Sequence, residues 1–248
     1  MKIKTGVFRR PYFPQYRAGI LLAGALFLLA SCDKIEDPSA RLDFTFSMTG
    51  HEVAWDAAEK ETNTGFSLES GTLVLENIEF DGRREQGATD VYFISDFASP
   101  MVISLDQNPG EAVFTFDIPQ GVYHMIEITL HIGTQQLPAL VMEGSFRRAA
   151  SGPVPIRYEY APKDQIRIRA NPAKGTKNIV FTRDTDSRAS IMIDTESLMQ
   201  LINYGMVVYA QVSQVEGEDV LLIDTQKNPG IYNSISSRLK TAFILEID

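Results

Sequence analysis

From residue 42 onward, apolar and polar side chains alternate in short runs rich in Val, Ile, Phe, Thr and Tyr, each closed by Gly, Pro, Asn or Asp. A period of two sends successive side chains to opposite faces of an extended chain, so each run predicts a half-buried β-strand. The expected strands are 42–48, 72–80, 91–95, 101–105, 112–117, 122–132, 139–146, 155–160, 165–170, 178–182, 190–194, 207–212, 220–223 and 242–247. Turn words such as Asn108-Pro109-Gly110, Pro119-Gln120-Gly121 and Ser151-Gly152-Pro153 separate them. Strands this frequent, with no long helices between them, disfavour a doubly wound sheet and predict an all-β fold, an antiparallel β-sandwich.

Two short helices interrupt the pattern, near 195–204 and 229–240. Asp194 or Thr195 caps the first, in which Leu198, Leu201 and Ile202 share a face before Gly205 stops it. The second has Asn228 at the N-cap, Pro229 at the first helical position, and Ile231, Ile235 and Leu239 at spacing four. Residues 50–65 show neither period and read as a loop. The region 42–248 forms one elaborated sandwich, or two with a boundary near 149–175, at 149–153 or 171–175.

The N-terminus carries a different signal. Lys2, Lys4, Arg9, Arg10 and Arg17 precede the uncharged run 18–30, a basic segment followed by a short apolar one. Thirteen residues at ~1.5 Å each span about 20 Å of helix, short of the ~30 Å hydrocarbon core of a bilayer. The run ends at Leu29-Ala30-Ser31-Cys32, which resembles, residue for residue, the lipobox of bacterial lipoproteins. That resemblance implies a signal peptide over 1–31, cleavage before Cys32, a diacylglyceryl thioether on its sulfur and acylation of its freed amine. Residues 32–41 then form a lipidated polar tether. At about 0.8 kcal/mol per buried CH₂, two or three acyl chains hold a protein on a membrane without spanning it. Acidic residues just after the cysteine resemble the surface-export signals of Bacteroidota lipoproteins. In the enterobacterial scheme Asp33 marks inner-membrane retention, so an outer-membrane position is expected with leaflet and face open.

Cys32 is the one cysteine, so the folded region holds no disulfide pair, thiol redox motif or cysteine nucleophile. Loss of residues 1–31 removes five basic and no acidic side chains, leaving 18 Lys+Arg against 32 Asp+Glu, a formal charge of −14 in place of −9. A surface so acidic is not a nucleic-acid partner, and contact with the membrane is expected through the lipid.

The word Phe116-Asp117-Ile118-Pro119-Gln120-Gly121-Val122-Tyr123, running on into a strand, resembles the "strand, Pro-x-Gly-x-Tyr, strand" signature of transthyretin-like and related β-sandwich domains in Bacteroidota envelope lipoproteins. Gly71-Thr72-Leu73-Val74-Leu75 and 191–198 echo two further strands of those domains. The resemblance, over about 71–202, implies a transthyretin-like or Ig-like sandwich and an envelope habitat, with no catalytic site. Relatives of such domains also build fimbriae.

Chemistry-bearing motifs are sparse. The chain has no Gly-x-Ser-x-Gly elbow, phosphate-binding glycine loop or His-Glu-x-x-His pair. Of three histidines, His124 and His131 have opposite parity in one strand, which predicts a buried His124 and a surface His131 on opposite faces unless a bulge intervenes. His51, near Trp55, and His124 are the candidate metal ligands, and neither makes a metal site by itself. Asp184-Thr185-Asp186 begins like a calcium loop but lacks the glycine at position six and the glutamate at twelve, and reads as a hairpin turn. Arg83-Arg84 and Arg147-Arg148 read as solvated strand ends or an anion dock. No cofactor is expected. The function that follows is a non-enzymatic, lipid-anchored envelope protein acting by binding or assembly, with an envelope protein or glycan as partner. The alternatives are a fimbrial or adhesin subunit matured after Arg41, a glycan- or metal-binding periplasmic module, and a carboxylate-based hydrolase.

Overall fold

The computed structural model describes residues 38–54, 65–85, 88–105, 110–148, 151–172, 177–215 and 217–248. In chain order the first strands are β1 (Ser39–Met48), β2 (His51–Ala54), β3 (Gly65–Arg84), β4 (Val91–Ser104), β5 (Phe114–Pro119), β6 (Gly121–Ile132) and β7 (Leu140–Arg148). There follow β8 (Ser151–Tyr160), β9 (Asp164–Pro172), β10 (Ile179–Phe181), β11 (Ser187–Ile193), α1 (Thr195–Met199), α2 (Tyr204–Val208), β12 (Ser213–Val215) and β13 (Glu218–Ile223). The chain closes with α3 (Pro229–Ser236), α4 (Leu239–Ala242) and β14 (Phe243–Ile247). The molecule is therefore mostly β, with four short helices among the described residues.

All fourteen strands among the described residues connect through backbone pairing, in the main order β12-β13-β8-β7-β3-β6-β9-β14-β11-β1-β5, with β2 and β4 against β3 and β10 against β6. The 20-residue β3 is the spine. Its first half pairs with β2 and β7 and its second half with β4 and β6. Three pairings, β1 with β11, β8 with β13 and β9 with β14, are parallel, so the sheet is mixed where an antiparallel one was expected. Period-two patterning reports which face of a strand is buried and is blind to the direction of its neighbour. Each parallel pair joins strands far apart in sequence, as parallel pairing requires.

The branch strand β4 and the terminal strand β5 meet through rings. Phe93 and Phe97 of the edge strand β4 pack on Phe116 and Phe114 of the edge strand β5, with centroids 5.2 and 5.4 Å apart. Phe80 stacks on Phe93 at 5.2 Å and Phe44 meets Phe116 at 5.4 Å, so β1, β3, β4 and β5 share one aromatic core. Such ring pairs are each worth about 0.5–1.5 kcal/mol beyond the area they bury. Among the described residues, buried side chains from Ala40 to Ile247 join one cluster. Arg148 pairs with Ser151 between β7 and β8, and β9 pairs with β6 through Arg169 and with β14 from Ala170.

Several local expectations change. Residues 207–212 read as a strand because of Val207, Val208 and Val212, but the Asn203 side chain accepts the Met206 N–H at 3.1 Å and starts α2 instead. Gly205 therefore lies inside a helix rather than ending one. Asp194 does cap α1, accepting the Ser197 N–H at 3.2 Å. Asn228 precedes α3 but makes no side-chain cap; it is left-handed at φ 54° and its amide is used elsewhere. Within the expected loop 50–65, β2 pairs with the start of β3. The expected strands 91–95 and 101–105 are the two paired stretches of β4, separated at 97–100 by residues that match nothing on β3. The first strand begins at Ser39, three residues ahead of the expected start of the folded region.

Candidate functional site

Alternation on β3 buries Ile78, Phe80 and Gly82 and turns Asn77, Glu79 and Asp81 to the other face. On β6 the same alternation turns out Glu127 and His131. Register then assembles a polar face across four strands. Glu79 lies opposite Ile94 of β4 and Thr129 of β6, Asn77 opposite His131, and His131 opposite Gln165 of β9.

At its centre the His131 Nε2 and the Glu79 Oε1 are 2.6 Å apart, with side chains 20% and 26% exposed. A carboxylate only accepts, so Nε2 carries the proton and donates. The other ring nitrogen, Nδ1, then faces the Gln165 Nε2 donor at 3.4 Å. The second Glu79 oxygen accepts the Tyr92 hydroxyl at 3.2 Å. Desolvation of the hydroxyl first, and then the Glu79 charge, push Tyr92, otherwise an exposed side chain, above its ordinary pKa. Beside the chain Tyr92, Glu79, His131, Gln165 lies the Asn77 Oδ1, buried without a hydrogen-bond partner among the described residues. Arg167 pairs with Glu127 at 3.2 Å and Arg83 with Asp81 at 3.1 Å on the same face.

A carboxylate that orients an imidazole is one half of a nucleophilic machine. The other half would be a hydroxyl or thiol on the free nitrogen, and here that place is taken by the Gln165 amide. The pair can present Tyr92 and His131 to a polar partner.

The histidines illustrate what parity misses. His124 is exposed, not buried as expected, because Arg83 pairs with Met125 and Arg84 with Tyr123, leaving His124 as the extra residue of a bulge. The bulge reverses parity and turns Tyr123 into the core. His124 and His131 remain seven residues apart, roughly 23 Å along a strand, too far to share an ion. His51 begins β2, with its side chain outside the described residues, as is Trp55. No group of three or more His, Cys, Asp or Glu able to hold a metal occurs among the described residues. Cys32 and the lipobox residues Leu29, Ala30 and Ser31 also lie outside them.

The arginine pairs divide. Arg83 is bound to Asp81 and Asp90. Arg84 is structural: its guanidinium donates to the Gln120 carbonyl at 2.5 Å and lies over the Tyr123 ring at 5.9 Å. Arg147 is exposed on β7 opposite Gly65. Residues 184–186 join β10 to β11, which pair with different strands, so this is a crossing turn and not the expected hairpin.

A groove of about 480 Å³ beside β7 and β8 gathers Glu69, Glu143, Arg157 and Glu218. Arg157 bridges Glu143 at 2.9 Å and Glu159 at 2.6 Å, and Ser67 and Ser145 both donate to Glu69. Glu69 and Glu143 there are thus already held by donors, an arrangement suited to fixing the groove's shape. Glu79, Tyr92 and Gln165 went unread in the sequence, since cross-strand register is set by β3 and β6 pairing and leaves no local mark. The chain matches no protein-family model, no curated protein and no solved structure.

Proposed function

We propose that this is a lipid-anchored protein of the bacterial envelope, held through Cys32 and acting by binding or assembly. The observation that carries this reading is the nearness of the lipobox to the fold. Six residues separate Cys32 from Ser39, where β1 already pairs with Pro119 of β5. Six residues reach at most about 20 Å, so an acylated Cys32 holds the domain against the bilayer. The pole next to the anchor is the start of β1 with the 119–121 turn, whose Gln120 N–H donates to the Pro38 carbonyl at 2.8 Å.

The sandwich reading, transthyretin-like or Ig-like, draws support from two features. β4 and β5 pack face to face through their rings, and Tyr123 ties its hydroxyl back to Pro119, as tyrosines do at the corners of Greek-key sandwiches. Together with the lipobox, these favour an envelope lipoprotein of the Bacteroidota kind in the outer membrane.

Replacing Cys32 with Ser tests the anchor. The expected result is loss of palmitate label and of membrane partition, with the leader retained. Unchanged partition, or a mature protein whose mass shows an unmodified Cys32, overturns it.

A further inference from the structure

The groove beside β7 and β8 continues past them. A second hollow of about 300 Å³ adjoins it and shares Ser70, Glu143 and Arg157 with it, so the two form one trough. Ser104 of β4 lines one end and Val220 of β13 the other. The trough thus crosses β4, β3, β7, β8 and β13, neighbours in the sheet, a span of roughly 19 Å at about 4.8 Å per strand. Two of its lining residues are glycines by necessity: a Cβ at Gly71 would strike the Val141 carbonyl, and one at Gly144 the Ser67 carbonyl.

Charge along the trough is mixed. Arg157, which lines both hollows, shares it with Glu69, Glu143 and Glu218. An anion would meet three carboxylates. A cation would meet Arg157, and no group of three or more His, Cys, Asp or Glu among the described residues is placed to hold a metal. An apolar ligand would strip water from these groups and return no hydrogen bond. A peptide cannot add here as a strand, because β3, β7 and β8 are each paired on both sides.

What stays open among the described residues is a set of both donors and acceptors. Arg157 commits Nε to Glu159 and Nη1 to Glu143, which leaves Nη2. Glu69 accepts the Ser67 and Ser145 hydroxyls at Oε1 alone, and Glu143 accepts Arg157 at Oε1 alone, so each keeps Oε2. The Ser70 and Thr72 hydroxyls bond to no described residue. A sugar hydroxyl donates once and accepts twice, so it can serve a carboxylate and a guanidinium together. Arg157 and Glu69 are already held in place by their protein partners, which lowers the cost of ordering them around a ligand. We propose that this trough binds a neutral glycan chain laid across the strands. The proposal rests on the binding half of the reading above, for which it names the site and the ligand class.

Saturation-transfer NMR on the full acylated protein, held in a polyoxyethylene detergent that carries no sugar, tests this. The probes are neutral hexasaccharides of glucose, mannose, galactose and N-acetylglucosamine, with hexagalacturonate and hexalysine as charged counterparts. At least one neutral chain should take up magnetisation from the protein. Arg157→Gln should weaken its binding roughly tenfold. Thr72→Trp, at an exposed position lining the smaller hollow, should abolish binding with far-UV circular dichroism unchanged. Val180→Thr, on β10 and 55% exposed, should bind as the parent does. Transfer to no neutral chain, transfer to hexagalacturonate or hexalysine alone, or neutral binding that survives both Arg157→Gln and Thr72→Trp overturns the proposal. Palmitate on Cys32 is scored on the same preparation, so failure of the anchor and failure of the trough are read separately.

Discussion

The Tyr123 hydroxyl donates to the carbonyl of Pro119, four residues upstream, at 2.7 Å. This bond closes the turn from β5 into β6 and explains the spacing of Pro119-Gln120-Gly121-Val122-Tyr123. Gly121 sits at φ 145°, and a Cβ there would lie 2.9 Å from the Arg84 guanidinium that grips the Gln120 carbonyl. Tyr123→Phe keeps the ring in the core and deletes one bond to a part-buried carbonyl. It should cost about 1–2 kcal/mol in urea denaturation, with the denaturant slope unchanged. Gly121→Ala should cost more, since it adds backbone strain and displaces Arg84.

Asn228 is the one non-glycine residue with positive φ among those described, and its amide makes three bonds to the backbone. Asn228→Ala loses the bonds and keeps a side chain that resists the left-handed region, for an expected loss of about 2–4 kcal/mol. Asn228→Gly accepts the conformation and should recover roughly 1 kcal/mol of that. Equal losses for the two substitutions would show that the bonds alone matter. Hydrogen exchange of the Gln211 amide offers an independent reading, with protection lost in both variants.

The same two residues mark how far the sequence can be read. The Pro-x-Gly-x-Tyr word located a turn and the strand after it, and alternation located nearly every other strand. Asn228-Pro229 marks the start of a helix, yet the amide's partners, Gln211 before β12 and Leu222 on β13, leave no local trace. His124 escapes the parity argument because one bulged residue inverts the alternation N-terminal to it. The Glu79 and His131 pair is 52 residues apart in sequence. Each alone is an ordinary outward residue, and only the β3–β6 register makes them a site. Parallel pairing was illegible for the same reason: direction belongs to the partner strand.

Acid should weaken the fold in a definite window. The Thr115 hydroxyl, bonded at 2.6 Å, holds the Asp43 carboxyl below its ordinary value, aided by Arg41 and opposed by burial. At Asp164 burial acts upward, but hydrogen bonds from Lys240, Tyr160 and the Gln165 N–H outweigh it and leave the carboxyl lowered. A depressed native pKa contributes stability that is present above the unfolded value, near 3.8, and is lost as pH falls through the native one. Stability should therefore be flat from neutrality to about pH 5 on account of these two groups and decline below pH 4. Asp43→Asn and Asp164→Asn should each flatten that decline. Urea midpoints measured from pH 7 to pH 2.5 decide the matter, and a decline as steep in the double variant as in the parent would count against both assignments.

Maturation after Arg41 would require a protease to open a strand. The residue lies inside β1, opposite Asp117 of β5, and the next residue, Leu42, is fully buried and paired on both sides, with Phe116 and with Ser187. The Arg41 side chain itself is exposed and bound to Asp43 at 2.9 Å, so recognition is possible while the scissile bond is shielded. Cleavage must then wait for opening of β1, and its rate should follow the population of the opened state. Trypsin is expected to leave the Arg41–Leu42 bond intact under native conditions and to cut it in proportion to unfolding as urea is raised. Phe44→Ala, which removes a ring packed on Phe114 and Phe116, should cost about 3–5 kcal/mol and speed cleavage by orders of magnitude. Rapid native cleavage at Arg41, with release of the segment before it and retention of the fold, would instead support a subunit that matures by trimming its first strand.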